Sequence, residues 1–247
     1  MKIPVLGTQT LNSISNLKNL INSIDYPIEI LSIIVNNENF NLLLEIKYFC
    51  DNIKNENIDK IDISYHPSNL GCSPSWNYHF KQYPFAKYFI KADDDVVFSK
   101  GDLQALSESL ENGDNMVFLN ERTKYAFFGI SKHTLKTVGL FDENLWPANY
   151  EDDDYQIRLN LANIKHTILN RDFNHISSGT SRNLKDNNVE HGKLVEFIKK
   201  TEEYFYKKWG VNREFQHPFN NSNNKITNID YDFNYRESKI FRCDYAK

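Results

Sequence analysis

The sequence predicts an α/β domain: a Rossmann-type, mostly parallel central sheet flanked by helices, with a smaller mixed sheet attached. Two observations carry this. Through the first half of the chain, short apolar runs rich in β-branched residues alternate with stripes at helical spacing, an order that generates parallel strands joined by crossover helices. Beyond Lys91 the apolar runs shorten and lose the long helices between them, so the sheet pattern changes there.

Ile3 to Leu6 opens the chain as a short apolar run ending in Gly7-Thr8. Asn12 or Ser13 can cap a helix whose positions Ile14, Leu17, Leu20, Ile21 and Ile24 share one face, until Tyr26-Pro27 breaks it. Ile30 to Val35 is almost continuously apolar, the mark of a strand buried on both faces. Leu42, Leu43, Ile46, Phe49 and Cys50 form a second helical stripe, and Ile61 to Tyr65 a third strand. Ser73-Pro74 offers an N-cap followed by proline at the first helical position, and Lys87 to Lys91 is the fourth strand. Ligands of such sheets bind beyond the carboxyl ends of the strands.

Ser99-Lys100-Gly101-Asp102 reads as a capping box opening a helix through Leu110. Met116 to Leu119 and Ala126 to Ile130 are short strands, and Ser131 caps a short helix ended by Gly139. Tyr150 to Ile164 is a helix with four carboxylates at its start, and His166 to Leu169 a further strand. Leu194, Phe197, Ile198, Phe205 and Trp209 form one face of the last helix. From Phe219 the chain is polar and asparagine-rich. Residues 1–219 are therefore expected to form the domain. Residues 220–247 are expected to form a polar, aromatic-bearing arm, packed on its own chain or on a second copy in a homo-oligomer.

Composition narrows the functional classes. The 247 residues are 40% hydrophobic and 25% charged, which suits a packed core and excludes a disordered chain. A net charge of −4 and a pI of about 6.0 provide no basic field for nucleic acid. Cys50, Cys72 and Cys243 are too few and too scattered for a disulfide framework or a zinc site. No apolar stretch approaches the ~18 residues of a membrane span, and the opening run is too short for a signal peptide. The expectation is a soluble, cytoplasmic protein without a transmembrane segment.

Four constellations can carry chemistry. Asp93-Asp94-Asp95 stands between two apolar runs at the end of the fourth strand, where three carboxylates are costly to hold unless a hard cation neutralises them. A turn whose Asp side chains bond nearby backbone N–H groups would carry the same acids. Glu151-Asp152-Asp153-Asp154 follows a crowd of aromatic residues; acids suit a helix start, and one facing a partly dry pocket could serve as a general base. His175 follows the last strand, where a neutral imidazole could complete the ligands of a Mn²⁺ or Mg²⁺ ion, although a lone histidine is more often structural. The other histidines lack such context. Asn69-Leu70-Gly71, with Ser73 and Asn77, is a loop leading into a helix, a place where backbone and side-chain amides can approach an anion.

In order along the chain, ILSIIVNNEN, NLGCSPSWN, KADDDVVF, GLFDENLWPANYEDDDYQIRL, NHISSGT and YFYKKWG with HPF resemble the GT-A-fold glycosyltransferases. Within them they are similar to the family 2-like inverting enzymes that use nucleotide-sugar donors. The resemblance covers about Ile3 to Phe219. It implies a GT-A-like fold with the mixed sheet on the acceptor side. It also implies that Gly7, Thr8 and Asn36 line the base and ribose pocket, with Asn69, Gly71 and Asn77 in the adjoining loop. By the same resemblance Asp93 and Asp94 face the donor, Asp95 and His175 bind the cation, and Asp152 is the base, supported by Asp154 and Arg158. Asn36-Asn37 stand where many members carry an aspartate, and the first apolar run is shorter than usual.

The activity so implied is transfer of a sugar from a nucleoside-diphosphate sugar, a UDP-sugar first, to a hydroxyl of a glycan or glycoconjugate. The transfer would be assisted by Mn²⁺ or Mg²⁺ and would invert the anomeric carbon. Phe127, Phe128, Trp146 and Tyr150 are candidates for the acceptor wall. Two alternatives remain. A sugar nucleotidyltransferase would use a related sheet, but Gly7-Thr8-Gln9-Thr10 lacks the basic residue its phosphate loop needs. A non-catalytic sugar- or cation-binding module would explain the acids without a base.

Overall fold

The computed structural model describes residues 1–122, 124–175 and 188–209. Strands β1 (Ile3–Thr10), β2 (Ile28–Asn36), β3 (Ile58–His66) and β4 (Tyr88–Ala92) alternate with helices α1 (Ile14–Asn22), α2 (Phe40–Asn52) and α3 (Cys72–Gln82). There follow β5 (Val96–Val97), α4 (Asp102–Glu111), β6 (Met116–Phe118), β7 (Phe127–Ser131), α5 (Lys132–Val138), α6 (Glu151–Leu161), β8 (His166–Ile168), β9 (Asn174–His175) and α7 (Asn188–Trp209). Seven strands form one sheet in the order β3-β2-β1-β4-β7-β6-β8, and β5 pairs with β9 separately. The first four neighbours are parallel, whereas β7 runs antiparallel to both β4 and β6. The mostly parallel α/β architecture is as expected; the mixed strands, however, continue the central sheet, and the second sheet is a two-stranded antiparallel ribbon.

The sheet is covered on both faces. Leu6, Leu31, Ile33 and Ile90 pack with Leu17 and Leu20 of α1, Ile46 of α2 and Leu106 of α4. On the other face Val5, Phe89, Phe128 and Ile130 pack with Trp76 and Phe80 of α3 and Tyr155 and Leu159 of α6. Each such side chain contributes about 1.5–3 kcal/mol by leaving water. A third cluster of Leu145, Ile157, Phe205 and Trp209 ties α7 to α6. No described helix is long and apolar enough to cross a membrane.

Several local expectations change. The first strand is not short: β1 runs eight residues and stays paired with β2 from Ile3 opposite Ile28 to Thr10 opposite Val35. Its polar end, Gly7 to Thr10, is carried by the ladder rather than by apolar side chains. Ser13 and Ser131 cap α1 and α5 as read, each accepting an N–H three residues on. Ser73 is not a cap. The N-cap of α3 is Gly71, with φ +83°, and the freed Cys72 N–H donates to Pro147 O at 2.8 Å. Only half of the capping box forms: Asp102 accepts from Ser99 N–H at 2.8 Å, while Gly101 sits at the cap position. Phe127 and Phe128 are fully buried on a strand covered from both sides, so neither can wall an acceptor. The domain boundary near 219, the arm at 220–247, Cys243, His191 and His217 lie outside what can be described.

Candidate active site

The chain runs outward from β1 through β2 to β3 and then crosses back to place β4 on the other side of β1, a reversal of strand order beside whose carboxyl ends the ligands of such sheets bind. Three segments meet there: the end of β1, the Asp93–Asp95 turn and the start of α6.

Asp93 N–H donates to Ala126 O at 2.8 Å, and Val96 N–H returns to Asp93 O at 3.1 Å, closing a turn directly after β4. β5 then pairs with β9, Val96 opposite His175. That register brings the imidazole beside the turn, with His175 Nε2 3.2 Å from Asp95 Oδ1. Asp93, Asp95 and His175 each present one ligand atom, all within 4.8 Å of one another. Two carboxylate oxygens and one imidazole nitrogen are a donor set that suits Mn²⁺ or Mg²⁺. Asp95 and His175 were the expected pair; Asp93 is the addition, brought beside Asp95 by the turn that Val96 N–H closes onto Asp93 O.

The middle acid is outside this cluster and is 9% exposed. Burial pushes the Asp94 carboxyl up to about 7, with Asp93 and Asp95 adding to the rise and a Thr10 hydrogen bond opposing it. The hydrogen bond with Asp95 raises His175 above its ordinary range, against its partial burial.

Two side chains that the motif reading missed secure Asp93. Gln9 Nε2 donates to Asp93 Oδ1 at 2.9 Å, and Lys91 Nζ donates to the same oxygen. Lys91 is 1% exposed, its ammonium 4.3 Å from the centre of the Trp76 ring. The signal was visible in KYFIKA: a lysine inside a doubly covered strand requires a counter-charge on its own face, and residue i+2 supplies it.

At the start of α6, Asn149 and Tyr150 both adopt left-handed backbone, φ +78° and +68°. Such conformations cost on the order of 1–3 kcal/mol each in residues other than glycine and persist only where the surroundings hold them. Here the Tyr150 ring stacks on Phe205 at 5.0 Å and its hydroxyl donates to Glu202 at 3.0 Å, both on α7. The four acids then separate by role. Glu151 is buried, and burial with Asp152 nearby raises its carboxyl well above the usual range. Asp153 is also buried and raised, first by desolvation and then by Asp152 and Asp154. Asp154 is fully buried and committed to Arg158 at 2.8 Å and Trp209 Nε1 at 3.1 Å. Asp152 alone is half-buried, and it lines a cavity of about 380 Å³ with Asn149, Tyr150, Asp153 and Ile198.

The remaining candidates surround this crevice at different depths. Gly7 lies against His79, where a Cβ would fall 2.8 Å from the ring carbons. Thr8 and Asn36 are buried, and Thr8 Oγ1 and Asn36 Oδ1 take no hydrogen bond among the described residues. Asn69 is exposed, its Oδ1 accepting from Gly71 N–H at 2.9 Å. Asn77 is fully buried, bonding Phe141 N–H and O and Glu143 Oε1, so its amide holds the loop before α6. Trp146 packs edge-on to Phe197 of α7 at 4.7 Å.

The chain matches no family model and no curated protein. Among solved structures it is similar to residues 1–349 of S. aureus TarS, with a TM-score of 0.55 and 16% identity over 84% of this chain and 72% of that one. The same TarS region in complex with UDP-GlcNAc gives 0.53 and 13% identity, covering 84% of this chain and 73% of that one. GalNAc-T7 with UDP, GalNAc and Mn²⁺ gives 0.56 and 12% identity, and there 88% of this chain spans about half, 52%, of the other. The chain has the fold of the GT-A glycosyltransferases. At these identities the likeness establishes the fold and leaves the chemistry to the site.

Proposed function

We propose that this protein is an inverting, metal-dependent glycosyltransferase. It would move a sugar from a nucleoside-diphosphate sugar, a UDP-sugar first, to a hydroxyl of a glycan or glycoconjugate. One observation carries the reading: Asp93, Asp95 and His175 converge at the end of β4, within the electrostatic field of the acid-bearing start of α6. The complexes of the similar folds, with UDP-GlcNAc in one and UDP, GalNAc and Mn²⁺ in the other, support the choice of donor and cation.

In this reading Asp93, Asp95 and His175 hold a divalent ion, which when bound offsets the charge developing on the departing diphosphate. Gly7, Thr8 and Asn36 serve the base and ribose, Thr8 and Asn36 through their uncommitted buried oxygens, with Asn69 and Gly71 at the rim and Asn77 holding the loop from behind. Asp94 backs the donor side of the turn. Asp152 takes the proton from the acceptor hydroxyl as it attacks the anomeric carbon opposite the diphosphate, so the configuration inverts. Trp146 and Tyr150 remain as the aromatic wall for the acceptor ring.

The test is a thermal-shift and calorimetric panel of UDP, dTDP and GDP, each with and without Mn²⁺. One of them should raise the unfolding midpoint in a metal-dependent way, since a ligand that binds only the folded state stabilises it. Asp95→Asn and His175→Ala should abolish that shift, and Asp59→Asn, an exposed acid paired with Lys2, should keep it. Equal nucleotide binding by Asp95→Asn and the wild type in Mn²⁺ would overturn the reading.

A further inference from the structure

Lys91 is a buried charge that the reaction scheme above does not use. Its ammonium lies over Trp76 and Phe128, 4.3 and 6.0 Å from the two ring centres. Its exposure is 1%, so water does little to screen it from its neighbours. It donates to Asp93 Oδ1, the same oxygen that accepts Gln9 Nε2. Oδ1 is thereby occupied from inside the protein, and Oδ2 is the oxygen left for a cation. The charge count follows. Asp93 and Asp95 bring two negative charges to the cluster with His175, and Lys91 cancels one of them at contact distance. The three ligands and Lys91 together carry one net negative charge, a poor match for a dication.

We propose that Lys91 is a positioning residue that makes cation binding at Asp93, Asp95 and His175 conditional on a nucleoside diphosphate. It fixes Asp93 as a one-oxygen ligand and cancels a carboxylate charge, so the cluster alone holds Mn²⁺ weakly and the diphosphate supplies the missing negative charge. The proposal rests on the glycosyltransferase reading, because that reading brings the diphosphate to the cluster. Coupling of this kind is reciprocal: the nucleotide strengthens cation binding by the factor by which the cation strengthens nucleotide binding.

The experiment measures Mn²⁺ affinity from the electron paramagnetic resonance of the free ion, with and without saturating UDP, dTDP or GDP. The wild type should bind Mn²⁺ weakly alone and ~10-fold or more tightly with one nucleotide, within the usual range of coupling factors. Lys91→Gln keeps a donor without the charge and Lys91→Met keeps the apolar stem. Both should bind Mn²⁺ more tightly without nucleotide and show a coupling factor several-fold smaller than wild type. Lys91→Arg, which restores the charge and the donors, should restore the coupling. Tight Mn²⁺ binding by the wild type without nucleotide overturns the proposal whether or not the variants fold. An unchanged coupling factor in the folded neutral variants overturns it and leaves the glycosyltransferase reading standing. If no nucleoside diphosphate raises the Mn²⁺ affinity of the wild type, both fall together.

Discussion

The indole of Trp209 donates to the buried carboxylate of Asp154 at 3.1 Å, joining the last turn of α7 to the first turn of α6. The same carboxylate pairs with Arg158, both side chains fully buried, and with Lys208 at 2.6 Å. Arg158 in turn donates to Val138 O and Leu140 O. Asp154 is thus a tie between helices, where the resemblance implied a support of the base. Removing one partner of a buried pair leaves the other charge uncompensated, at a cost of about 3–5 kcal/mol. Asp154→Ala should lose about that much in urea unfolding. A loss under about 1 kcal/mol would show that the network relaxes around the missing acid.

Gly71 couples the α3 loop to the same region. A Cβ there would lie 2.6 Å from Pro147 O and 2.7 Å from the Trp146 ring, at φ +83°. Gly71→Ala therefore meets both backbone strain and a collision with main chain, which cannot swing away as a side chain can. It should destabilise by more than about 1 kcal/mol and weaken acceptor use more than nucleotide binding, because the displaced residues belong to the loop before α6. Wild-type kinetics with unchanged stability would contradict the packing argument.

The assignment of the base is checked by two adjacent substitutions. General-base catalysis is typically worth ~10²–10⁴-fold, and Asp152 is the half-buried member of an otherwise buried acid run. Asp152→Asn should reduce turnover by about that factor with donor affinity nearly unchanged. Asp153 is held toward its neutral form by burial and by its flanking acids, and asparagine mimics a neutral acid. Asp153→Asn should change turnover by less than ~10-fold. The reverse pattern would move the base by one residue.

Acid sensitivity should trace in part to His79. Its Nδ1 meets Ser32 Oγ at 2.9 Å beneath β1, and burial, helped by the nearby Lys91 charge, lowers the imidazole from 6.5 to about 3. Unfolding restores the ordinary value, so between those limits the unfolded chain binds the extra proton. Stability is then intact above about 6.5 and falls as the pH drops through that window, by roughly 5 kcal/mol at most. His79→Gln should start less stable and lose less between pH 7.5 and 5. Parallel stability curves for the two proteins would exclude His79 as the source.

Local signals were read well wherever the physics was local. Ser13 and Ser131 cap their helices because a hydroxyl needs only the next turn's N–H. Ser73 was misread because the N–H at that helix start is satisfied by Pro147, more than seventy residues away in the chain. Phe127 and Phe128 look like an aromatic wall in sequence, and only the layers of helix on both faces of β7 show that both are core. Asn77 sits in a loop-like phrase, yet its amide is consumed by Phe141 and Glu143.

The alternation of strand and helix, the parallel half of the sheet and the position of three acids at the end of β4 are all legible along the chain. These follow from side-chain period and chain direction, which act over a few residues. Which two of those acids join a histidine, how far β1 extends and the sharing of one Asp93 oxygen by Lys91 and Gln9 emerge only from contacts made across the fold. The pairing of Val96 with His175 spans about eighty residues, and its register is set by backbone hydrogen bonds between strands that carry no local mark of one another. A cluster built from such a pairing exists only once β9 has met β5 beside the end of β4.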